Sequence, residues 1–139
     1  RNVILDLAEK GPCVIVGRCA DYILKERTDC LNVFVHAAAE TRAERIVRLY
    51  GETEKSPAKR LEEKDKKREV YYKYYTGQVW GMAKNYAISL DSGKLGLDRC
   101  VELITGLTKL RQENAKGYYT GALHPAQNRR SRCISIFIC

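Results

Sequence analysis

The stretch GPCVIVGR, residues 11–18, decides the fold. Gly11-Pro12 ends a helix predicted over residues 2–9, because proline lacks the N–H that continues a helix and its ring clashes with the preceding turn. The next four residues are apolar, three of them β-branched, and Gly17-Arg18 closes the run. A short, continuously apolar run is typical of a strand buried on both faces, as in parallel sheets. The stretch therefore predicts a helix followed by a buried parallel strand.

Two further runs predict strands of the same kind, residues 32–36 and residues 86–90. Apolar side chains recur at helical spacing over residues 40–50 and 97–110, and an N-cap serine followed by proline opens a third helix over residues 58–75. Strands that alternate with helices indicate an α/β layered fold with a parallel sheet.

Composition limits the possible classes of protein. The 139 residues are 45% hydrophobic and 30% charged, which is typical of one globular domain. The formal charge is +8: residues 1–110 carry 20 basic and 16 acidic side chains, and residues 111–139 carry 5 and 1. Such a balance attracts nucleotides, nucleic acids and acidic membranes alike, and does not choose among them.

The sequence shows neither a signal peptide nor an apolar run of the ~20 residues that a membrane span needs. We therefore expect a cytoplasmic protein. Because the sequence opens without Met and directly at a predicted helix, we also expect its first residue to be a cut inside a longer chain. The six cysteines form no C-x-x-C pair and only two histidines are present, so we expect reduced, structural thiols rather than a metal site.

The ends of the predicted strands are the first places to look for a site, because ligands of parallel sheets collect at the carboxyl ends of strands. Arg18 and Asp91 stand there. Arginine offers a planar fork that suits a phosphate or a base edge. A structural ion pair between Arg18 and Asp21 is an equally good interpretation of these residues.

A charged run, residues 62–69, occupies the middle of the third helix. A solvated helix face is its simplest interpretation. The alternative is that Lys64, Lys67 and Arg68 converge on anionic oxygens, because phosphoryl transfer needs positive groups around the transferred phosphate. Arg42, Arg45 and Arg48 recur every three residues on the preceding helix and could face the same space, although glutamates of that helix could equally pair with Arg42.

Four tyrosines at residues 71–75, with Trp80 just beyond, follow the basic run. Aromatic side chains beside basic ones can stack the bases of single-stranded nucleic acids. Tyrosines at helical spacing more often pack against the body of a domain, and this is the interpretation that we favour.

Three motifs together resemble a known family: GPCVIVGRCAD at residues 11–21, DKKR followed by YYKYY within residues 65–75, and LDSGKLG at residues 90–96. In order and spacing they are similar to the cytidylate-kinase-like proteins of bacteria over about residues 1–110. The resemblance implies a P-loop NTPase fold, a three-layer arrangement around a parallel sheet. It implies transfer of the γ-phosphoryl group of ATP, with Mg²⁺, to CMP, dCMP or a related nucleotide.

The resemblance also implies roles for individual residues. Arg18 would contact the acceptor nucleotide, with Asp21 supporting that site. Lys67 and Arg68 would be the catalytic cations of a mobile lid at about residues 52–76. The residues implied for ATP binding are Arg45, Arg48, Asp91 and Ser92. One departure from the family pattern is Cys19, which stands where cytidylate kinase has an aspartate.

The motif G-x-x-x-x-G-K-[ST], which cradles phosphates in this class of kinase, does not occur in the 139 residues. We therefore expect an incomplete fold, without the N-terminal strands, whose lost central strand leaves two sheet edges exposed. Residues 111–139 are interpreted as a basic, poorly ordered tail. The expected partners are a nucleoside monophosphate and ATP rather than a membrane or a nucleic acid, and the chain alone is expected to be inactive. The alternatives are a basic module for nucleic acid and a regulatory domain that binds nucleotide without turnover.

Overall fold

Strands and helices alternate along the chain in a computed structural model that describes residues 1–27, 29–117 and 133–138. The elements in order are α1 (Asn2–Lys10), β1 (Cys13–Val16), α2 (Ala20–Ile23), β2 (Cys30–His36), α3 (Ala39–Tyr50), α4 (Pro57–Thr76), a 3₁₀ turn (Ala83–Asn85), β3 (Ile88–Asp91), α5 (Ser92–Leu95), α6 (Leu97–Gly117) and β4 (Cys133–Ile138). The predicted α/β class is confirmed. The predicted strand bounds differ by one or two residues, since β2 begins at Cys30 and β3 begins at Ile88.

The strands form one parallel sheet in the order β1-β4-β2-β3. Strand β4 pairs with β1 in the register Cys13↔Cys133 and with β2 in the register Cys30↔Cys133. Strand β3 pairs with the other side of β2, in the register Val33↔Ile88. Because the strands are all parallel, their carboxyl ends meet at one edge of the sheet.

The position of β4 corrects the expectation that the centre of the sheet is empty. Its six residues lie between β1 and β2, with Cys133 and Ser135 fully buried. The two parallel neighbours supply hydrogen-bond partners for the backbone of β4. This apolar run, which has no partner strand close to it in the sequence, is therefore paired on both sides. The interpretation of residues 111–139 as a tail is wrong for β4 and for residues 111–117, which continue α6. Residues 118–132 lie outside the described residues.

Both faces of the sheet are covered, as parallel sheets require. The face toward α6 buries Leu31, Val33, Val35, Leu90, Cys100 and Ile104. The face toward α1 and α2 buries Ala8, Ala20, Leu24, Cys30 and Cys133. A third cluster lies under the end of α4 and contains Cys19, Phe34, Tyr72 and Tyr86. None of the described helices has a stretch long and apolar enough to cross a membrane.

Helix α4 begins and ends where its sequence indicates. The Ser56 hydroxyl accepts a hydrogen bond from the Lys59 N–H at 3.4 Å, and Pro57 occupies the first turn. Gly77 ends the helix at φ 69°, a left-handed conformation that glycine adopts without strain. Of the 20 residues in α4, only Leu61, Tyr72 and Thr76 are buried, so most of this helix faces solvent.

Candidate functional site

The loop after β1 is strained at the edge where the strands end. Gly17, Arg18 and Cys19 have φ values of 69°, 59° and 55°. Glycine tolerates this region, but a left-handed conformation costs an L-residue with a side chain roughly 1–2 kcal/mol. Strain of this kind concentrates at functional sites, so the Arg18 loop is the leading candidate for one.

Arg18 is exposed, and it makes no hydrogen bond or ion pair with the described residues. The alternative interpretation, a structural ion pair with Asp21, is not what the structure shows. A guanidinium held at a strand end without a protein partner can bind a phosphate or a planar base through two parallel hydrogen bonds.

Asp21 lies one turn further on, in α2, and is 2% exposed. Its Oδ2 accepts a hydrogen bond from the Tyr72 hydroxyl of α4 at 2.6 Å, and its Oδ1 is buried without a hydrogen-bond partner among the described residues. Burial raises the pKa of Asp21, and the hydrogen bond from Tyr72 offsets this only in part. Burial and the neighbouring carboxylate also raise the pKa of the Tyr72 hydroxyl. Asp21 therefore ties α2 to α4 and does not reach solvent, and its predicted role in supporting the Arg18 site stays a prediction.

Two of the predicted ATP-binding residues contact each other. Arg45 of α3 donates to the Ser92 hydroxyl and to the Ser92 carbonyl, both at 2.8 Å. Ser92 is buried, and its hydroxyl donates in turn to the His36 carbonyl at 3.0 Å. These bonds fix the ends of β2 and β3 against α3. Arg45 therefore has a structural role at this edge of the sheet, and its guanidinium is already hydrogen-bonded to Ser92.

Asp91 has a local structural role at the end of β3. Its Oδ1 accepts from the N–H groups of Gly93 and Lys94, at 2.9 and 3.2 Å, and so caps α5. Desolvation acts to raise the pKa of Asp91, but the hydrogen bonds from these two N–H groups and nearby positive charge outweigh it, and the pKa is lowered. A negative charge is therefore maintained beside Ser92.

A three-residue ion-pair network links α3 to α4. Arg42 binds both carboxylate oxygens of Asp65, at 2.6 and 2.8 Å, and Arg68 binds the same carboxylate at 2.8 Å. Arg42 was open to pairing with glutamates of its own helix, and the structure gives it the carboxylate of Asp65 across the helix contact. Desolvation acts to raise the pKa of Asp65, but the two guanidinium groups outweigh it and lower the pKa. Sequence patterns alone did not single out Asp65, since it stood inside a charged run.

Lys67 and Arg48 are exposed and make no hydrogen bond or ion pair with the described residues. The structure thus joins Arg45 to Ser92 and couples α4 to α3, but it leaves Arg18, Arg48 and Lys67 as separate cations. Strands β1 and β3 are three strand spacings apart, so Arg18 and Ser92 are separated by roughly 14 Å along the edge.

A polar cavity of about 360 Å³ adjoins the buried Asp21. Its lining consists of Asp21, Tyr22, Lys25, Asn32, Gln78, Lys84, Asn85, Tyr86 and Ala87. Asn32 is near the start of β2 and Ala87 precedes β3, so the cavity lies toward the amino ends of these strands. Its residues are scattered along the sequence and form no motif, which is why sequence patterns do not reveal it.

The comparisons with known proteins concern the fold and the family. The chain is similar to the crystal structure of an uncharacterized protein from Eubacterium ventriosum ATCC 27560, with 31% sequence identity and a TM-score of 0.74. The match covers 79% of this chain and 63% of that one, so this chain spans less than two thirds of that protein. No curated protein matches the chain. The family model for the cytidylate kinase-like family matches residues 1–94, more than half of the sequence, and the chain therefore belongs to the cytidylate kinase-like family.

Proposed function

We propose that this chain is the acceptor-binding and lid-bearing part of a P-loop nucleoside monophosphate kinase, which transfers the γ-phosphoryl group of ATP to CMP, dCMP or a similar nucleotide. The observation that carries the proposal is Arg18, an exposed cation in a left-handed loop at the end of β1, in a chain of this family. The proposal adds two things to the family membership: a reaction, phosphoryl transfer from ATP, and a class of acceptor, the nucleoside monophosphates.

Arg18 would hold the acceptor. Its planar fork matches two oxygens of a phosphate or the edge of a base, and a lysine could not make the same paired contact. Asp21 would act indirectly, because its carboxylate is bonded to Tyr72 and buried. By holding α2 against α4, it fixes the start of α2 and with it the loop that carries Arg18.

Lys67 and Arg68 would supply the positive charge of the lid. The transferred phosphoryl group spreads its charge over three oxygens, and cations placed around it stabilise the transition state. Lys67 is exposed, and Arg68 is positioned by its 2.8 Å ion pair with Asp65. A phosphate that approaches Arg68 would share it with a carboxylate already neutralised by Arg42.

The fit to ATP is partial. Arg48 and Lys67 are exposed cations that could contact its phosphates, whereas Arg45, Ser92 and Asp91 are engaged with one another or with the backbone and would shape the loop near the base. The 139 residues contain no G-x-x-x-x-G-K-[ST] motif. Among the described residues, no group of three or more His, Cys, Asp or Glu side chains could hold a metal ion. We therefore propose that this chain alone binds the acceptor without transferring phosphate.

ADP release coupled to a colour reaction, with a panel of CMP, dCMP, UMP and AMP, tests the proposal. The full-length protein is expected to release ADP fastest with a cytidine nucleotide, and Lys67→Ala is expected to slow release more than Lys10→Ala, which changes an exposed lysine of α1. The 139-residue chain is expected to release none. Failure of the full-length protein with every acceptor would contradict the kinase proposal, and would favour a regulatory domain that binds nucleotide without turnover.

A further inference from the structure

One face of α4 carries an unbroken stripe of cations and tyrosines. Its members recur at spacings of three and four residues, and they are Lys64, Lys67, Arg68, Tyr71, Tyr74 and Tyr75. Residues with this spacing lie one above another on a helix. At 1.5 Å per residue the stripe is roughly 16 Å long, with its cations in one half and its rings in the other.

The three tyrosines of the stripe are on the surface. The exposed fractions are 46% for Tyr71, 81% for Tyr74 and 59% for Tyr75, whereas Tyr72 is only 1% exposed. The rings form a continuous cluster, with centroids 4.5 Å apart for Tyr71 and Tyr75 and 5.0 Å apart for Tyr74 and Tyr75. The sequence favoured packing of the tyrosines against the domain, and the structure shows this for Tyr72 alone. An exposed cluster of aromatic rings marks an interaction surface.

The charges next to the rings are positive. Lys64 and Lys67 are exposed and form no ion pair with the described residues, and Lys64 lies over the ring of Tyr50 at 5.9 Å. Glu62 and Glu69 stand on the opposite side of the helix by their spacing from the stripe. The surface thus combines positive charge with the exposed faces of aromatic rings. A partner that carries both negative charge and planar rings fits such a surface.

We propose that this stripe binds a single-stranded nucleic acid, whose bases stack on Tyr71, Tyr74 and Tyr75 while its phosphates lie along Lys64, Lys67 and Arg68. Stacking on exposed rings requires bases that are free on one face, which a duplex does not offer. A second copy of the chain is a poorer partner, because it would bring the same cations against the stripe. The inference shares Lys67 and Arg68 with the proposed phosphoryl transfer but uses neither Arg18 nor the acceptor site. The proposed transfer does not use the tyrosines, so substitution of the tyrosines tests this inference alone.

Fluorescence anisotropy of a labelled thymidine oligonucleotide of about 12 nucleotides, within the range bound by single-strand-binding domains, tests the proposal with the whole 139-residue chain. The variant Y74A/Y75A is compared with Y74F/Y75F, which keeps both rings and loses only the hydroxyls. We expect binding that weakens as salt rises, near-normal affinity for Y74F/Y75F and at least a roughly fivefold loss for Y74A/Y75A, since stacking contributes about 1–3 kcal/mol per base. Circular dichroism checks that each variant is folded. We expect both variants to fold, because the substituted residues are exposed.

Four outcomes of the binding experiments would overturn the proposal. The first is that no binding is seen at low salt, and the second is that Y74A/Y75A and the unchanged chain bind with equal affinity. The third is that a duplex of the same sequence competes as well as the single strand. The fourth is that CMP displaces the labelled oligonucleotide as effectively, molecule for molecule, as the unlabelled oligonucleotide does. Light scattering provides the remaining test. A dimer that becomes monomeric in Y74A/Y75A would show that the tyrosines bind a second copy and would contradict the proposal.

Discussion

The hydroxyl of Tyr72 donates a 2.6 Å hydrogen bond to the buried carboxylate of Asp21, and so joins α4 to the helix that follows the Arg18 loop. Tyr72 is 1% exposed and Asp21 is 2% exposed. The bond connects the predicted lid to the predicted acceptor site through the protein interior. Together with the packing of Tyr72 in one cluster with Cys19, it connects α4 to the loop that carries Arg18.

Removing this bond is expected to destabilise the fold. Tyr72→Phe keeps the ring in its cluster but leaves the Asp21 carboxylate with one hydrogen bond fewer, which costs about 1–3 kcal/mol for a buried group. Tyr74→Phe removes an exposed hydroxyl of the same helix and is the matched control, expected to change stability by less than about 0.5 kcal/mol. Urea denaturation measures both. Equal midpoints for the two variants would show that the Tyr72 bond contributes nothing.

The raised pKa of Asp21 predicts how stability depends on pH. Because the folded state holds this proton more tightly than the unfolded state, whose pKa is near 3.8, the contribution of Asp21 is fully present below 3.8 and is lost as pH rises through its raised folded pKa. Asp21→Asn cannot ionise, so its advantage over the unchanged chain should grow as pH rises from about 4 to 7. Glu54→Gln, an exposed change, should show no such trend. A pH-independent difference for Asp21→Asn would contradict the assignment.

The left-handed conformation of Arg18 predicts that two variants without the guanidinium differ in stability. Arg18→Gly and Arg18→Ala both remove the guanidinium, but only glycine relieves the strain at φ 59°. Arg18→Gly is therefore expected to be more stable than Arg18→Ala by about 1 kcal/mol. Thermal unfolding compares the two. Identical melting temperatures would mean that the loop is not held in this conformation.

The central position of β4 is tested at Ser135. Its hydroxyl is buried without a hydrogen-bond partner among the described residues, so Ser135→Ala should stabilise the fold by about 1 kcal/mol. Ser135→Pro removes a backbone N–H from a strand with neighbours on both sides and should destabilise the fold by about 3 kcal/mol or more. Melting temperatures unaffected by proline would show that this segment is not paired in the sheet.

The sequence predicted the features that depend on neighbouring residues. Helical spacing, the Ser56-Pro57 start and the apolar run before Arg18 are local signals, and the elements predicted from them lie within two residues of their predicted bounds except where α6 runs on to Gly117. The short helices α2 and α5 and strand β4 were not predicted. The pairing of β4 was not predictable, because its partner in β1 is 120 residues away. Which tyrosine of α4 is buried also depends on how the helix sits against α2 and the sheet, and helical spacing does not reveal this.

The candidate site divides in the same way. Arg18 was recognisable because it follows a strand, and its residue type suits phosphate. The bonds from Arg45 to Ser92 and from Arg42 to Asp65 join residues that are 47 and 23 positions apart, and the sequence does not specify which distant polar group an arginine will bind. The family resemblance implies that Arg45 and Ser92 both bind ATP, and in the structure these two residues are hydrogen-bonded to each other.

Calorimetric titration of the 139-residue chain with CMP tests the central claim most directly, with Arg18→Ala against Arg99→Ala, which removes an exposed arginine of α6. We predict saturable binding that Arg99→Ala retains and that Arg18→Ala weakens about tenfold or more, because a charged hydrogen bond contributes about 1.5–3 kcal/mol. Equal affinity in the two variants, or no binding of CMP, dCMP or any other monophosphate to the folded chain, would contradict the claim that Arg18 holds the acceptor.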